Sequence, residues 1–78
     1  MYLSVIDVKP LSDHRILLQF ENHEKRIMDM TPFLTLGAYQ ELVDNSLFNG
    51  VKLCFDTIEW PNGVDFDPEL LYSLSISQ

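Results

Sequence analysis

From Arg15 to Glu21 the chain reads Arg-Ile-Leu-Leu-Gln-Phe-Glu, with Ile16, Leu18 and Phe20 at alternate positions and Arg15, Gln19 and Glu21 largely on the other side. Successive side chains of a strand point to opposite faces, so this segment is a strand with one buried and one wet side. Such a strand needs neighbours that continue its buried face. Leu3 to Val8, rich in β-branched residues and closed by Pro10, predicts the strand before it, with Leu11-Ser12-Asp13-His14 as the turn. Glu21-Asn22-His23-Glu24 predicts a tight hairpin, and Lys25 to Met30 the returning third strand. Thr31-Pro32 ends the sheet, because proline has no amide to donate to a ladder.

Beyond Pro32 the pattern changes. Ala38 to Asp44 places Ala38, Tyr39, Leu42 and Val43 on one face of a helix of barely two turns, which only packing can hold. Leu47 and Phe48, between Asn45-Ser46 and Asn49-Gly50, are predicted anchors. Val51 to Phe55 predicts a strand with Val51, Leu53 and Phe55 inward. Its phase breaks at Asp56-Thr57, where Ile58 and Trp60 take over, so a bulge or tight turn belongs there. Pro61-Asn62-Gly63 turns Ile58–Trp60 back onto Val64–Phe66: proline presets the first turn position, and Asn and Gly tolerate left-handed backbone. Asp67-Pro68-Glu69 then starts a helix carrying Leu70, Leu71, Tyr72 and Leu74. Asp67 caps it, Pro68 suits its first position, and Glu69 faces the positive end of the dipole. Leu74-Ser75-Ile76-Ser77 alternates and can add an edge strand. The expected fold is α+β, a small antiparallel sheet of about five strands with one or two short helices. A three-strand N-terminal meander and a C-terminal hairpin make up that sheet, in a single domain over residues 1–78.

Charge divides the chain. Five Lys and Arg stand against twelve Asp and Glu, for a net formal charge of −7. No base follows Lys52, while Glu41, Asp44, Asp56, Glu59, Asp65, Asp67 and Glu69 all lie in residues 40–78. Phosphate backbones and anionic membranes attract clustered cations, so neither direct nucleic-acid binding nor membrane association is expected. A charged partner is expected to be a basic protein, although an acidic exterior also serves solubility alone. The single Cys54 excludes an intrachain disulfide and a multi-cysteine zinc site. With no basic start followed by a long apolar run at the N-terminus, the expected location is cytoplasmic.

Candidate chemistry is sparse. His14 and His23 flank one strand, too far apart to share a metal ion, and read as solvated turn residues. Cys54 has Lys52 on its strand face but no base beside it, and reads as a half-buried structural thiol. Asp65, Asp67 and Glu69 lack the spacing of a calcium loop, and capping accounts for the last two. Three glycines cannot supply a phosphate-binding loop, and no nucleophile elbow occurs. No catalytic, cofactor-binding or metal-binding residue is assigned, and neither an enzyme nor a cofactor is expected. What remains is an interaction surface: Trp60, Phe66 and Tyr72 around one turn, rimmed by Glu59, Asp65 and Glu69, the composition of a protein hot spot. The same aromatics would also serve to close a small core.

The run Trp60-Pro61-Asn62-Gly63-Val64-Asp65-Phe66-Asp67-Pro68-Glu69-Leu70-Leu71-Tyr72 resembles the ending typical of a bacterial domain family of unknown function, DUF twenty-four forty-two. Val5 to Pro10, the leucine-rich strand ending in Phe20, and Glu24, Arg26 and Asp29 before Pro32 agree with its start. Leu42, Asp44 and Phe48 match its middle, so the resemblance covers essentially the whole chain. One departure is His23, where family members usually carry glycine after the asparagine of the first hairpin. A left-handed position costs histidine about 1 kcal/mol relative to glycine. The resemblance implies an α+β domain with no established reaction. Some relatives look like an N-terminal domain ahead of a helix-turn-helix, and others like one member of a two-gene unit resembling a toxin–antitoxin pair. The expectation is a small non-catalytic interaction domain, antitoxin-like, that binds a basic protein through its acidic second half. A second copy can pair with its C-terminal edge. The alternative is a ligand-sensing or regulatory module, which requires a concave apolar pocket near Trp60 and Tyr72.

Overall fold

The computed structural model describes residues 3–78. Its strands are β1 (Val5–Leu11), β2 (Arg15–Phe20), β3 (Lys25–Asp29), β4 (Lys52–Cys54), β5 (Thr57–Glu59), β6 (Asp65–Phe66) and β7 (Ile76–Ser77), and its helices α1 (Asn45–Phe48) and α2 (Pro68–Leu74). They form two antiparallel sheets, one in the order β1-β2-β3-β7 and a smaller one in the order β4-β5-β6. The fold is α+β. The N-terminal meander and the β5–β6 hairpin stand where the turn residues predict them, and the tail becomes a fourth strand beside β3.

Alternation decides which face of the large sheet is wet. Ile16, Leu18 and Phe20 are fully buried. Pro10 and Met28 stand opposite Ile16, and Val8 and Arg26 opposite Leu18, so these residues share the inward face. Each fully buried aliphatic or aromatic side chain there contributes about 1.5–3 kcal/mol. Lys9, Leu17, Ile27 and Ile76 are aligned across the opposite face. Val5 also faces inward, because the ladder slips between Val5 and Asp7, leaving Ile6 outside.

Three local expectations are corrected. β1 does not stop at Pro10 but runs to Leu11. It is an edge strand, where a missing amide interrupts no ladder. Residues Gly37–Val43 wind as a 3₁₀ helix instead of an α-helix. At three residues per turn Tyr39 and Leu42 share a face, so Leu42 is buried and Tyr39 half-buried while Ala38 and Val43 are exposed. Finally, Val51 is buried as expected, but Leu53 and Phe55 are not. Leu53 stands opposite the buried Ile58 but on an edge strand. Phe55 belongs to the two-residue turn into β5, since Cys54 already pairs with Thr57.

One hydrophobic cluster joins the inward faces of both sheets to Leu42, Phe48 and Leu71. The Val5 amide donates to the Asp56 carbonyl at 2.9 Å, tying the sheets together where β1 meets the β4–β5 hairpin. Phe48 anchors α1 as predicted, and Leu47 packs against the cluster. Gly50 is needed for close approach: a Cβ there would lie 2.5 Å from Cγ of Pro61. Gly63, at φ 88°, supplies the left-handed residue of the β5–β6 turn.

Candidate functional site

The structure divides the six expected surface residues into two groups. Trp60 is fully buried, its ring beside Phe48 and its Nε1–H donating to the Phe48 carbonyl at 3.1 Å. Phe66 is buried against Phe33 and Tyr39. Tyr72 is half-buried and meets Phe20 edge-on, with ring centroids 5.0 Å apart. The three aromatics therefore do not converge on one turn: each fills a different part of a core too small to leave them outside. Of the two roles the sequence leaves open for Trp60 and Phe66, surface anchor or core, they take the core.

Glu59, Asp65 and Glu69 do come together. Pairing of Ile58 with Phe66 turns both inward, so their neighbours Glu59 and Asp65, themselves directly opposite, share the outer face of the small sheet. Lys52 stands on the other side of Glu59 in the same row. Thr57, Asp65, Phe66, Asp67, Pro68 and Glu69 line an open cleft of about 380 Å³ where this face meets the start of α2. Local chemistry builds its floor. The Asp67 carboxylate accepts the Glu69 amide at 2.8 Å as the helix cap, the Thr57 hydroxyl donates to the Phe66 carbonyl, and the Tyr39 hydroxyl donates to the Asp65 carbonyl at 2.7 Å. Burial, and next the Asp65 charge, push the Tyr39 phenol above its ordinary value, so it stays a neutral donor. Exposed Leu70 follows Glu69 on α2, with Leu74 one turn on, both about half exposed. An anionic cleft beside exposed aliphatic side chains can take an ammonium or guanidinium group together with apolar contact.

A second polar cluster holds the tail in place. Arg26, on the inward face of β3, donates from Nε to the Ser75 hydroxyl at 2.9 Å and from its terminal nitrogen to the Ser75 carbonyl at 2.6 Å. It pairs with Glu24 at 3.0 Å and lies over the Tyr72 ring, 4.5 Å from its centroid. The Tyr72 hydroxyl donates to Glu24, which also accepts from Asn22. Above all the Tyr72 hydrogen bond, and then Arg26 and Asn22, hold Glu24 below the usual carboxylate value against the opposing effect of burial. The same hydrogen bond raises Tyr72. Nothing in the sequence pattern pointed to this cluster, in which Arg26 and Ser75 are 49 residues apart.

Other expectations resolve simply. His14 is not just a solvated turn residue: it is half-buried, edge-on to Phe48 at 5.0 Å, with Nε2 3.1 Å from the Val43 carbonyl. His23 is exposed. Cys54 is a free, half-buried thiol on the same face as Lys52. Among the described residues no group of three His, Cys, Asp or Glu side chains is placed to hold a metal ion, and no helix is long and apolar enough to cross a membrane. Neither Trp60 nor Tyr72 lines the acidic cleft or a second one, bounded by Pro10, Leu11, Ser12, Asp13, Asn45 and Asn49.

Compared with curated proteins and with solved structures, the chain matches none. The α+β fold agrees with what the sequence resemblance implies. The model of the family described as "Protein of unknown function (DUF2442)" matches residues 5–77, and the chain belongs to that family.

Proposed function

We propose that this chain is a non-catalytic protein-interaction domain, and that its partner is a basic protein segment seated on the acidic outer face of β4-β5-β6. One juxtaposition supports this reading: Glu59 and Asp65 are directly opposite across two strands, beside a cleft that Asp67 and Glu69 also line. Like charges in such a pair cost on the order of 0.2–1 kcal/mol, a cost that an incoming cation relieves. Leu70 and Leu74 add apolar surface next to the acids. The antitoxin-like form of the proposal, with a partner encoded beside this chain, and a cytoplasmic place of action draw on the family resemblance and on sequence features alone.

A pull-down from the native cell at about 50 mM and about 500 mM salt tests it, since exposed charge pairs are screened over roughly 10 Å at 0.1 M. A basic protein captured at low salt should be released at high salt. It should also be lost at low salt from an Asp65→Asn, Glu69→Gln variant. A partner held equally by that variant, or none captured at low salt, overturns the reading.

A further inference from the structure

We infer that two copies of this chain associate through the outer face of the β1-β2-β3-β7 sheet, in a two-fold arrangement that sets Arg15 of each copy over Asp29 of the other. This surface is the opposite side of the molecule's large sheet from the core, and it is distinct from the acidic face proposed for the partner.

Strand register places its residues. One row runs Leu11, Arg15, Asp29; the next Lys9, Leu17, Ile27, Ile76; the third Asp7, Gln19, Lys25. Leu17, Ile27 and Ile76 are absent from the hydrophobic core and from the side chains packed against it, and Ile76 is 68% exposed. They form an apolar strip three strands wide, half-buried at Leu17 and Ile27 and exposed at Ile76, that none of the described core side chains packs against. The face also carries Lys9, Arg15 and Lys25, three of the five Lys and Arg in the chain, against Asp7, Asp29 and, at its edge, Glu21. It is therefore close to neutral, on a molecule of charge −7, and lacks the acidic excess that would draw a basic protein.

Its pattern complements itself. A two-fold axis parallel to the strands, between β2 and β3, keeps each row over itself and exchanges β2 with β3 and β1 with β7. Arg15 then faces Asp29 of the other copy, and Asp29 faces its Arg15. Leu17 faces the other copy's Ile27, Gln19 faces its Lys25, and the Lys9 stem lies over its Ile76. No like charges meet. The alternative axis, across the strands, would bring Lys9 over its own copy, and charge decides against it. Faces of two sheets pack about 10 Å apart, a distance that aliphatic side chains and Arg–Asp pairs can span. The strip is smaller than the roughly 800 Å² per partner of a standard interface, so the dimer dissociates on dilution.

Sedimentation equilibrium from about 10 µM to about 1 mM reads the association directly, in the range where small polar interfaces form. The mass should rise from 9.1 kDa toward twice that value with concentration. Arg15→Asp alone and Asp29→Arg alone each set like charges against one another across the axis and should stay monomeric. Mixed in equal amounts, they should form a heterodimer, because each introduced charge now faces its opposite. Asp29 also accepts the Thr31 amide at 2.9 Å, so circular dichroism must show that both variants are folded at the temperature used. Should Asp29→Arg fail to fold, Ile27→Glu takes its place as a second variant that must abolish the concentration dependence. A wild-type chain that stays at 9.1 kDa throughout, or a dimer that Arg15→Asp leaves intact, overturns the inference.

Discussion

Phe55 holds φ at 56° while 99% exposed, so its large side chain buries almost nothing that would offset left-handed backbone. The first position of a two-residue hairpin turn with positive φ favours glycine. Phe55→Gly should therefore raise stability by up to about 1 kcal/mol, a rise of roughly 4–8 °C in melting temperature for a domain of this size. His23→Gly should act in the same direction, since His23 sits at φ 71° in the first hairpin. Trp60 is the opposite case. Trp60→Phe removes the donor to the buried Phe48 carbonyl as well as part of the core, and should cost about 2–4 kcal/mol. Urea unfolding must be followed by circular dichroism, because the chain has no other tryptophan to report by fluorescence.

At the scale of elements, β7 is too short to hold itself, and the Arg26 cluster fastens it and the end of α2 to β3. The Tyr72–Glu24 hydrogen bond lowers Glu24 from its ordinary 4.5 and raises Tyr72 from its ordinary 10.0. A lowered acid contributes stability that is present above pH 4.5 and is lost as pH falls through the lowered value. A raised phenol contributes stability that is present below pH 10.0 and is lost as pH rises through the raised value. Thermal melts of wild type and Tyr72→Phe should thus differ steadily between those limits and converge beyond each. A difference that persists unchanged into strong acid would assign the Tyr72 contribution to packing alone. Arg26→Lys keeps the charge but not the planar fork, so the amides of residues 75–78 should exchange with solvent faster while those of β2 do not.

The whole molecule presents two open sheet faces of different character. The outer face of the small sheet carries Glu59 and Asp65 beside Lys52, with Asp67 next to it at the start of α2, and the large one carries Lys9, Arg15 and Lys25 among Asp7, Asp29 and Glu21. Glu59 stands directly opposite Asp65, a like-charge pair that costs stability, with Lys52 on the other side of Glu59. Asp65→Asn should accordingly raise the melting temperature of the isolated protein by a degree or two at low salt, about 0.2–0.5 kcal/mol, while weakening partner capture. If Asp65→Asn instead lowers stability at low salt, the carboxylate has a structural use and the acidic face loses its claim to function. Pairing through the large sheet would leave both acidic faces free, giving the dimer two equivalent partner sites and the gain in avidity that follows.

Features set by neighbours in sequence were legible without coordinates. The alternation of Ile16, Leu18 and Phe20, the Pro61-Asn62-Gly63 turn and the Asp67 cap each act within a few residues, and each stands where local chemistry places it. Family membership was legible for the same reason, in a run from Trp60 to Tyr72. Cross-strand partners decided the rest. Alternation puts Leu53 on the same side as Ile58, but only its place on an edge strand exposes it. Trp60 can be read as anchor or as core until Phe48 packs against it and settles it as core. Glu59 meets Asp65, and Arg26 meets Ser75, through pairings that no short stretch of chain encodes, because burial and charge neighbourhood depend on which distant strand arrives alongside.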